Sequence, residues 1–123
     1  MFYSKTFSTE KPLILKSEYI QVLTIQQIQL ITGMSKVKED KPIEIKLQHE
    51  NEEYTICTLY LNKNEIYDCN IVLRIGSNAK EEYKLTVSTK INSSIKAVIN
   101  GFIDFEEDIT GKRKSDYLTQ MLK

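Results

Sequence analysis

Short runs of alternating apolar and polar residues recur along the chain. In residues 42–48 and 83–88, an apolar or aromatic side chain stands at every second or nearly every second position, and charged or hydroxyl side chains stand between. Because successive side chains of a β-strand point to opposite faces, each run predicts a half-buried antiparallel strand. About eight such runs, separated by polar turns at intervals of roughly 8 to 12 residues, predict an all-β sandwich or barrel, a jelly roll among them.

The predicted strands cover most of the first 104 residues. They are residues 2–7, 13–15, 20–30, 42–48, 54–61, 66–75, 83–88 and 94–104. Within the third strand the apolar phase shifts between Ile25 and Ile28, which predicts a β-bulge or a bend. The polar residues 49–53 predict a hairpin turn.

The character of the sequence changes after the last predicted strand. An acidic stretch is followed by a basic one, and Ser115 is a candidate N-cap for a short helix that runs through Leu122. We therefore expect a β core over residues 1–108 and a C-terminal extension over residues 109–123.

The residue counts exclude most catalytic and metal sites. The chain has one His and two Cys in 123 residues, too few for a zinc centre or a multi-histidine site on a β-barrel. His49 lies in a polar segment typical of a solvated turn, so it is a poor candidate for a general base. The sequence therefore predicts neither an enzyme nor a cofactor.

The two cysteines lie inside predicted strands. Cys57 and Cys69 are interpreted as small buried hydrophobic residues with reduced thiols, and a disulfide between neighbouring strands is the alternative. No apolar run reaches the 18 or so residues of a membrane span. Equal numbers of basic and acidic residues, 17 of each, disfavour nucleic acid as a partner held by bulk charge.

Two predicted strands, residues 54–61 and 66–75, carry apolar side chains on both faces. A two-layer sandwich buries only the inner face of each sheet, so the outer face needs a second cover. That cover is another subunit or, as the alternative, the C-terminal segment. The predicted interface residues are Tyr54, Ile56, Leu59, Tyr60, Leu61, Ile71 and Leu73.

Several segments, taken in order, resemble the nucleoplasmin-like domain, in particular the branch found in nuclear FKBP-type prolyl isomerases and plant nucleolar deacetylase-like proteins. Ile56-Cys57-Thr58-Leu59 is similar to a Leu-Cys-Thr-Leu strand of that family, and Asn100-Gly101-Phe102 is similar to its closing Thr-Gly-Tyr. Phe2-Tyr3-Ser4 and residues 23–30 match further family segments at compatible spacing.

The resemblance implies an eight-stranded antiparallel jelly roll that assembles as a homopentamer, sometimes stacked in pairs as a decamer. It also implies a histone chaperone of the nucleus or nucleolus, with core histones as partners bound through carboxylate clusters. The acidic candidates are Glu50, Glu52, Glu53, Glu81, Glu82, Glu106, Glu107 and Asp108. The net charge of zero still permits segregated faces, with glutamates on the hairpin tips and lysines on the opposite loops.

Two other functions fit the same sequence. The chain could serve only as an oligomerisation module of a larger protein, whose activity, such as prolyl isomerisation, lies beyond residue 123. It could also be an unrelated β-sandwich that binds a small ligand or a protein in a groove.

Overall fold

Eight antiparallel strands form two four-stranded sheets in the computed structural model of the chain, which describes residues 1–31, 41–92 and 94–105. The strands are β1 (Phe2–Ser8), β2 (Leu13–Leu15), β3 (Gln21–Ile31), β4 (Ile43–His49), β5 (Glu52–Leu59), β6 (Ile66–Ile75), β7 (Tyr83–Thr89) and β8 (Lys96–Phe105). Sheet I has the order β1-β8-β3-β6, and sheet II has the order β2-β7-β4-β5. The predicted all-β fold, with eight antiparallel strands in a sandwich, is confirmed.

The bulge predicted in the third strand is present. In β3 the register shifts between Ile25 and Gln27 against both neighbouring strands, β6 and β8. The extra residue restores the inward direction of the apolar side chains, so that Ile25 and Ile28 are both fully buried.

The β4–β5 hairpin closes through a two-residue turn. His49 pairs with Glu52, and the intervening Glu50 and Asn51 have φ values of 51° and 71°. Two consecutive positive φ angles are typical of a type I′ turn, whose twist matches that of the strands. The turn is therefore shorter than the predicted 49–53, and β5 begins two residues before the predicted strand.

A second bulge explains why residues 54–61 look apolar on both faces. Tyr54 pairs with Leu47, whereas Cys57, three residues later, pairs with Ile45. Both partners are buried, inward-facing residues of β4. The unpaired Ile56 changes the phase of β5, so side chains that a strict alternation assigns to opposite faces share the inner one.

The core lies between the two sheets and draws on both. Its largest fully buried side chains are Phe7, Leu23, Ile25, Ile28, Ile43, Ile45, Leu59, Leu85, Val87 and Ile99. Each comes from a strand whose alternate residues face outward, which is the arrangement of a β-sandwich.

Candidate interaction surfaces

One end of the sandwich gathers three loops that are distant in sequence. β4 ends and β7 begins at this end, so the β4–β5 turn meets the 76–82 loop. The Nε2 atom of His49 donates a hydrogen bond to the carbonyl oxygen of Lys80 at 2.7 Å. The two loops are thereby joined, and we call this region, with residues 16–19, the acidic end.

A shallow cleft of about 300 Å³ opens at the acidic end. Its lining residues are Ile14, Gln48, Glu50, Asn51, Ala79, Glu82, Tyr83 and Lys84. Two predicted acidic residues that lie 32 positions apart, Glu50 and Glu82, therefore share one cleft. Its wall also includes the exposed apolar side chain of Ile14.

His49 and Tyr83 form the base of this region. Their rings stack with centroids 4.6 Å apart and an interplanar angle of 16°. The pKa of the Tyr83 hydroxyl is raised mainly by burial, and the carboxylates of Glu81 and Glu50 raise it further. His49 therefore packs against Tyr83 rather than standing free in the turn. The nearby carboxylates disfavour ionisation of the Tyr83 hydroxyl.

The remaining described acidic candidates differ in their surroundings. Glu52 accepts a hydrogen bond from the Tyr54 hydroxyl, and Glu53 lies 3.5 Å from the Nζ atom of Lys46. Glu81 is buried, with its carboxylate bound by Arg74 and Asn78. Glu81 thus stabilises the 76–82 loop, whereas Glu50, Glu52, Glu53 and Glu82 are exposed.

The other predicted acidic residues, Glu106, Glu107 and Asp108, lie outside the described residues, as do the predicted helix 115–122 and the extension 109–123. β8 ends at Phe105, and its C-terminal end lies at the acidic end of the sandwich, since β8 runs antiparallel to β1 and β3.

Five described lysines lie at the opposite end, whereas Lys16, Lys80 and Lys84 lie at the acidic end. The loops and strand ends of the opposite end carry Lys11, Lys41, Lys63, Lys90 and Lys96. Within the described residues this end also carries Glu10 and Glu65, so the segregation of charge is partial. Although the net charge of the chain is zero, the two ends of the sandwich therefore differ in their charged residues.

The predicted interface residues fall into two groups. Leu59, Leu61 and Leu73 are core residues, with at most 7% of their surface exposed, so their apolar character needs no second subunit. Ile56 and Ile71 pack partly against the core, Tyr60 is half-buried, and Tyr54 is exposed. The predicted interface did not include other exposed apolar residues, such as Phe2, Val72 and Phe102, which lie on three different strands of sheet I.

The two cysteines are free thiols near the open edge between β5 and β6. Burial raises the pKa of the Cys57 thiol to about 11, and the nearby Cys69 adds to the shift. The Cys69 thiol contacts the carbonyl oxygen of Ile25 at 3.4 Å. Both thiols are therefore protonated at neutral pH.

Among residues 1–31, 41–92 and 94–105, no three His, Cys, Asp or Glu side chains are grouped in a way that could hold a metal ion. No helix in the same ranges is long and apolar enough to cross a membrane.

Sequence comparisons give one short match. No protein-family model matches the chain. The chain is 35% identical over 101 residues to the CRISPR-associated endoribonuclease Cas13a of Leptotrichia shahii. That match covers 76% of this chain but only 7% of the length of Cas13a.

Structural comparisons cover nearly the whole sandwich. The Drosophila NLP core, whose crystal structure addresses pentamer formation and histone binding, superposes with a TM-score of 0.60 and 17% identity over 84% of this chain and 97% of that one. The nucleoplasmin-like N-terminal domain of Drosophila FKBP39 gives a TM-score of 0.48 at 12% identity over 86% and 91%. The match to the NLP core extends over most of this chain and nearly all of the NLP core. The chain therefore has the nucleoplasmin-like fold that its ordered sequence segments indicated.

Proposed function

We propose that this chain is the core domain of a histone chaperone, which assembles as a homopentamer and binds core histones through its acidic end. The observation that carries the proposal is the convergence of Glu50 and Glu82 on one cleft in a chain of zero net charge. The shared fold with the Drosophila NLP core, a protein studied for pentamer formation and histone binding, supports the same function. A nuclear or nucleolar location is part of the same proposal.

The proposed mechanism is electrostatic and needs no catalytic group. An exposed ion pair contributes only about 0 to 1 kcal/mol, so one acidic end would hold a histone weakly. Rotational symmetry in a ring places five equivalent acidic ends on the same side. Several weak contacts on one partner then act together through their high effective concentration.

The proposed binding set consists of the exposed acidic residues at this end: Glu50, Glu52, Glu53 and Glu82. Glu106, Glu107 and Asp108 belong to the proposal as the residues that directly follow β8, within a core of residues 1–108. Residues 109–123 are proposed as a separate extension. Glu81 is left out because its carboxylate is already bound inside the loop.

Assembly is tested by native mass spectrometry and light scattering. A chain of 14.3 kDa should give a single species of about 72 kDa, and two stacked pentamers would give twice that mass. A monomer at all concentrations would overturn the pentamer.

Histone binding is tested by titrating the assembly with purified core histones across a salt series. Binding should weaken steeply as salt rises, because exposed charges are screened. The double variant Glu50→Gln/Glu82→Gln should lose roughly tenfold in affinity at low salt. Glu44→Gln is the matched control, since Glu44 lies about 20 Å from the turn along β4 and its substitution also removes a carboxylate. Equal losses in both variants would contradict the assignment of the acidic end.

The neutral charge balance also supports the role of a pure oligomerisation module in a larger protein. A stable pentamer that does not bind histones at any salt concentration would favour that function. We propose no ribonuclease activity, because the match to Cas13a spans 7% of that protein.

A further inference from the structure

The two free thiols of the chain lie on one edge of the sandwich, where the chain crosses from sheet II to sheet I. Cys57 belongs to β5, the last strand of sheet II, and Cys69 belongs to β6, the last strand of sheet I. These two strands contact each other, but within the described ranges no hydrogen-bonded ladder joins them. Side-chain packing therefore holds this edge of the sandwich.

Both cysteine side chains point toward the space between the sheets. Cys69 lies on the inner face of β6, which it shares with the buried Leu73 and Ile75. Cys57 pairs with Ile45, a fully buried residue of β4. Each cysteine packs against the apolar core and is still partly exposed. The two thiols therefore approach the same gap from opposite sheets, within reach of a small reagent in solution.

The connection between β5 and β6 sets the two cysteines at nearly the same level. It is a short turn, closed by backbone hydrogen bonds of 2.9 and 3.0 Å between Tyr60 and Asn64. Cys57 stands two residues before the end of β5, and Cys69 stands three residues after the start of β6. A strand rises about 3.3 Å per residue, so the cysteines lie about 7 and about 10 Å from this turn. Such a small offset is what a disulfide between two strands requires.

The surroundings of the two sulfur atoms differ and assign them an order of reaction. Burial raises the pKa of the Cys57 thiol to about 11, and Cys69 raises it further, as expected for two thiols close together. Burial and the Asp68 carboxylate also raise the pKa of the Cys69 thiol, but a hydrogen bond from the backbone N–H of Ile71 opposes the shift. Because this donor stabilises a thiolate, Cys69 is the more reactive nucleophile of the two.

We propose that Cys57 and Cys69 form a redox pair, which a low-molecular-weight disulfide such as glutathione disulfide oxidises to an intrachain disulfide. The Cys69 thiolate attacks one sulfur of glutathione disulfide, whose S–S bond breaks and releases one glutathione. The Cys57 thiolate then attacks the Cys69 sulfur of the mixed disulfide and releases the second glutathione. The protein thiols lose two electrons, and their two protons pass to the two glutathione thiolates that leave.

The disulfide would link the two sheets at the edge where no ladder joins them. It closes a loop of about a dozen residues, which restricts the unfolded chain and stabilises the folded one. Since both thiols are protonated at neutral pH, the exchange should be slow, and an excess of a small thiol should reverse it. This inference depends on the sandwich alone and requires neither histone binding nor assembly.

The pair is tested by incubating the native chain with glutathione disulfide at about pH 8.5, where a larger thiolate fraction speeds the exchange. After an acid quench, the intact mass without reductant should be lower by two hydrogen atoms and carry no added glutathione. A peptide map should join Cys57 to Cys69. The melting temperature should rise by about 10 °C and return to its starting value with dithiothreitol.

Two single variants are the matched controls. Cys57→Ser and Cys69→Ser each keep one thiol, so each should stop at the mixed disulfide and gain the mass of one glutathionyl group. Cys57→Ser should react faster, because it keeps the thiol beside the Ile71 N–H. A faster reaction of Cys69→Ser would overturn the assigned order of attack.

Three outcomes in the wild type would overturn the pair. The first is glutathione retained on both cysteines, and the second is a disulfide that joins two chains instead of closing within one. The third is a native chain that keeps both thiols free under conditions that oxidise the same chain in denaturant. Each would show that the two cysteines serve only as small packing residues at this edge.

Discussion

Gly101 lies so close to Thr24, across the β3–β8 pair, that a Cβ atom at residue 101 would stand 1.9 Å from the carbonyl oxygen of Thr24. The close approach occurs beside the bulge of β3, where Gly101 pairs with Ile25. A backbone carbonyl cannot move aside without opening the sheet, so we expect Gly101→Ala to lower the free energy of unfolding by about 3 kcal/mol or more. Urea denaturation of the purified variant measures this, and a loss below about 0.5 kcal/mol would contradict it.

Gly76 makes a similar approach to a side chain instead. A Cβ atom there would lie 2.5 Å from Oε1 of Glu81, whose carboxylate is bound by Arg74 and Asn78. A side chain can swing away, so Gly76→Ala should cost about 1 to 2 kcal/mol, mainly in lost hydrogen bonds.

The same pair of residues predicts strong coupling. Glu81→Ala removes the carboxylate that Gly76→Ala would displace, so the double variant should lose about 1 kcal/mol less than the sum of the single variants. A double-mutant cycle by urea denaturation gives the coupling. Additive losses would show that Gly76 and Glu81 do not constrain each other.

The strands could be predicted where one face alone meets the core. β4 and β7 alternate cleanly, and β6 was predicted with its observed bounds, Ile66–Ile75. The bulge in β3 also left a visible trace, because Ile25 and Ile28 stand three positions apart and both need the core. These features are local in sequence, so the alternation of apolar and polar residues is sufficient to predict them.

The surfaces could be predicted only in part, because they depend on pairing between distant strands. The bulge at Ile56 made β5 look apolar on both faces and drew buried residues such as Leu59 into the predicted interface. The exposed residues Phe2, Phe102 and Val72 reach the same level of sheet I only through the registers of three strand pairs. No periodicity within one strand carries that information.

The Cys57 thiol should react slowly at moderately alkaline pH. Burial, with a further contribution from Cys69, raises its pKa from 9.0 to about 11, so at pH 8 its thiolate fraction is about 100-fold below that of an unperturbed thiol. In the native Cys69→Ser variant, where Cys57 is the single thiol and burial alone raises its pKa, iodoacetamide should therefore alkylate Cys57 markedly more slowly than in denaturant. Equal rates in the native and unfolded protein would contradict the raised pKa.

The same shift predicts a loss of stability at high pH. Below pH 9 the thiol is neutral in both states, and above it the unfolded chain ionises while the folded chain holds its proton up to about pH 11. The contribution of Cys57 is thus present below pH 9 and lost between pH 9 and 11. Cys57→Ala should flatten this part of the stability profile, measured by thermal unfolding, and an identical profile in both proteins would count against it.

The hairpin turn predicts a conflict between stability and binding at one residue. Glu50 has a φ of 51°, a region that Asn tolerates better than Glu, and its carboxylate lines the cleft at the acidic end. Glu50→Asn should therefore raise the free energy of unfolding by about 0.5 kcal/mol and lower histone affinity by up to about fivefold. Asn51→Gly is the matched control, since it relaxes the neighbouring φ of 71° and keeps the charge. It should raise stability without changing affinity, as measured by urea denaturation and histone titration. If Glu50→Asn binds histones as tightly as Asn51→Gly does, Glu50 has no part in binding.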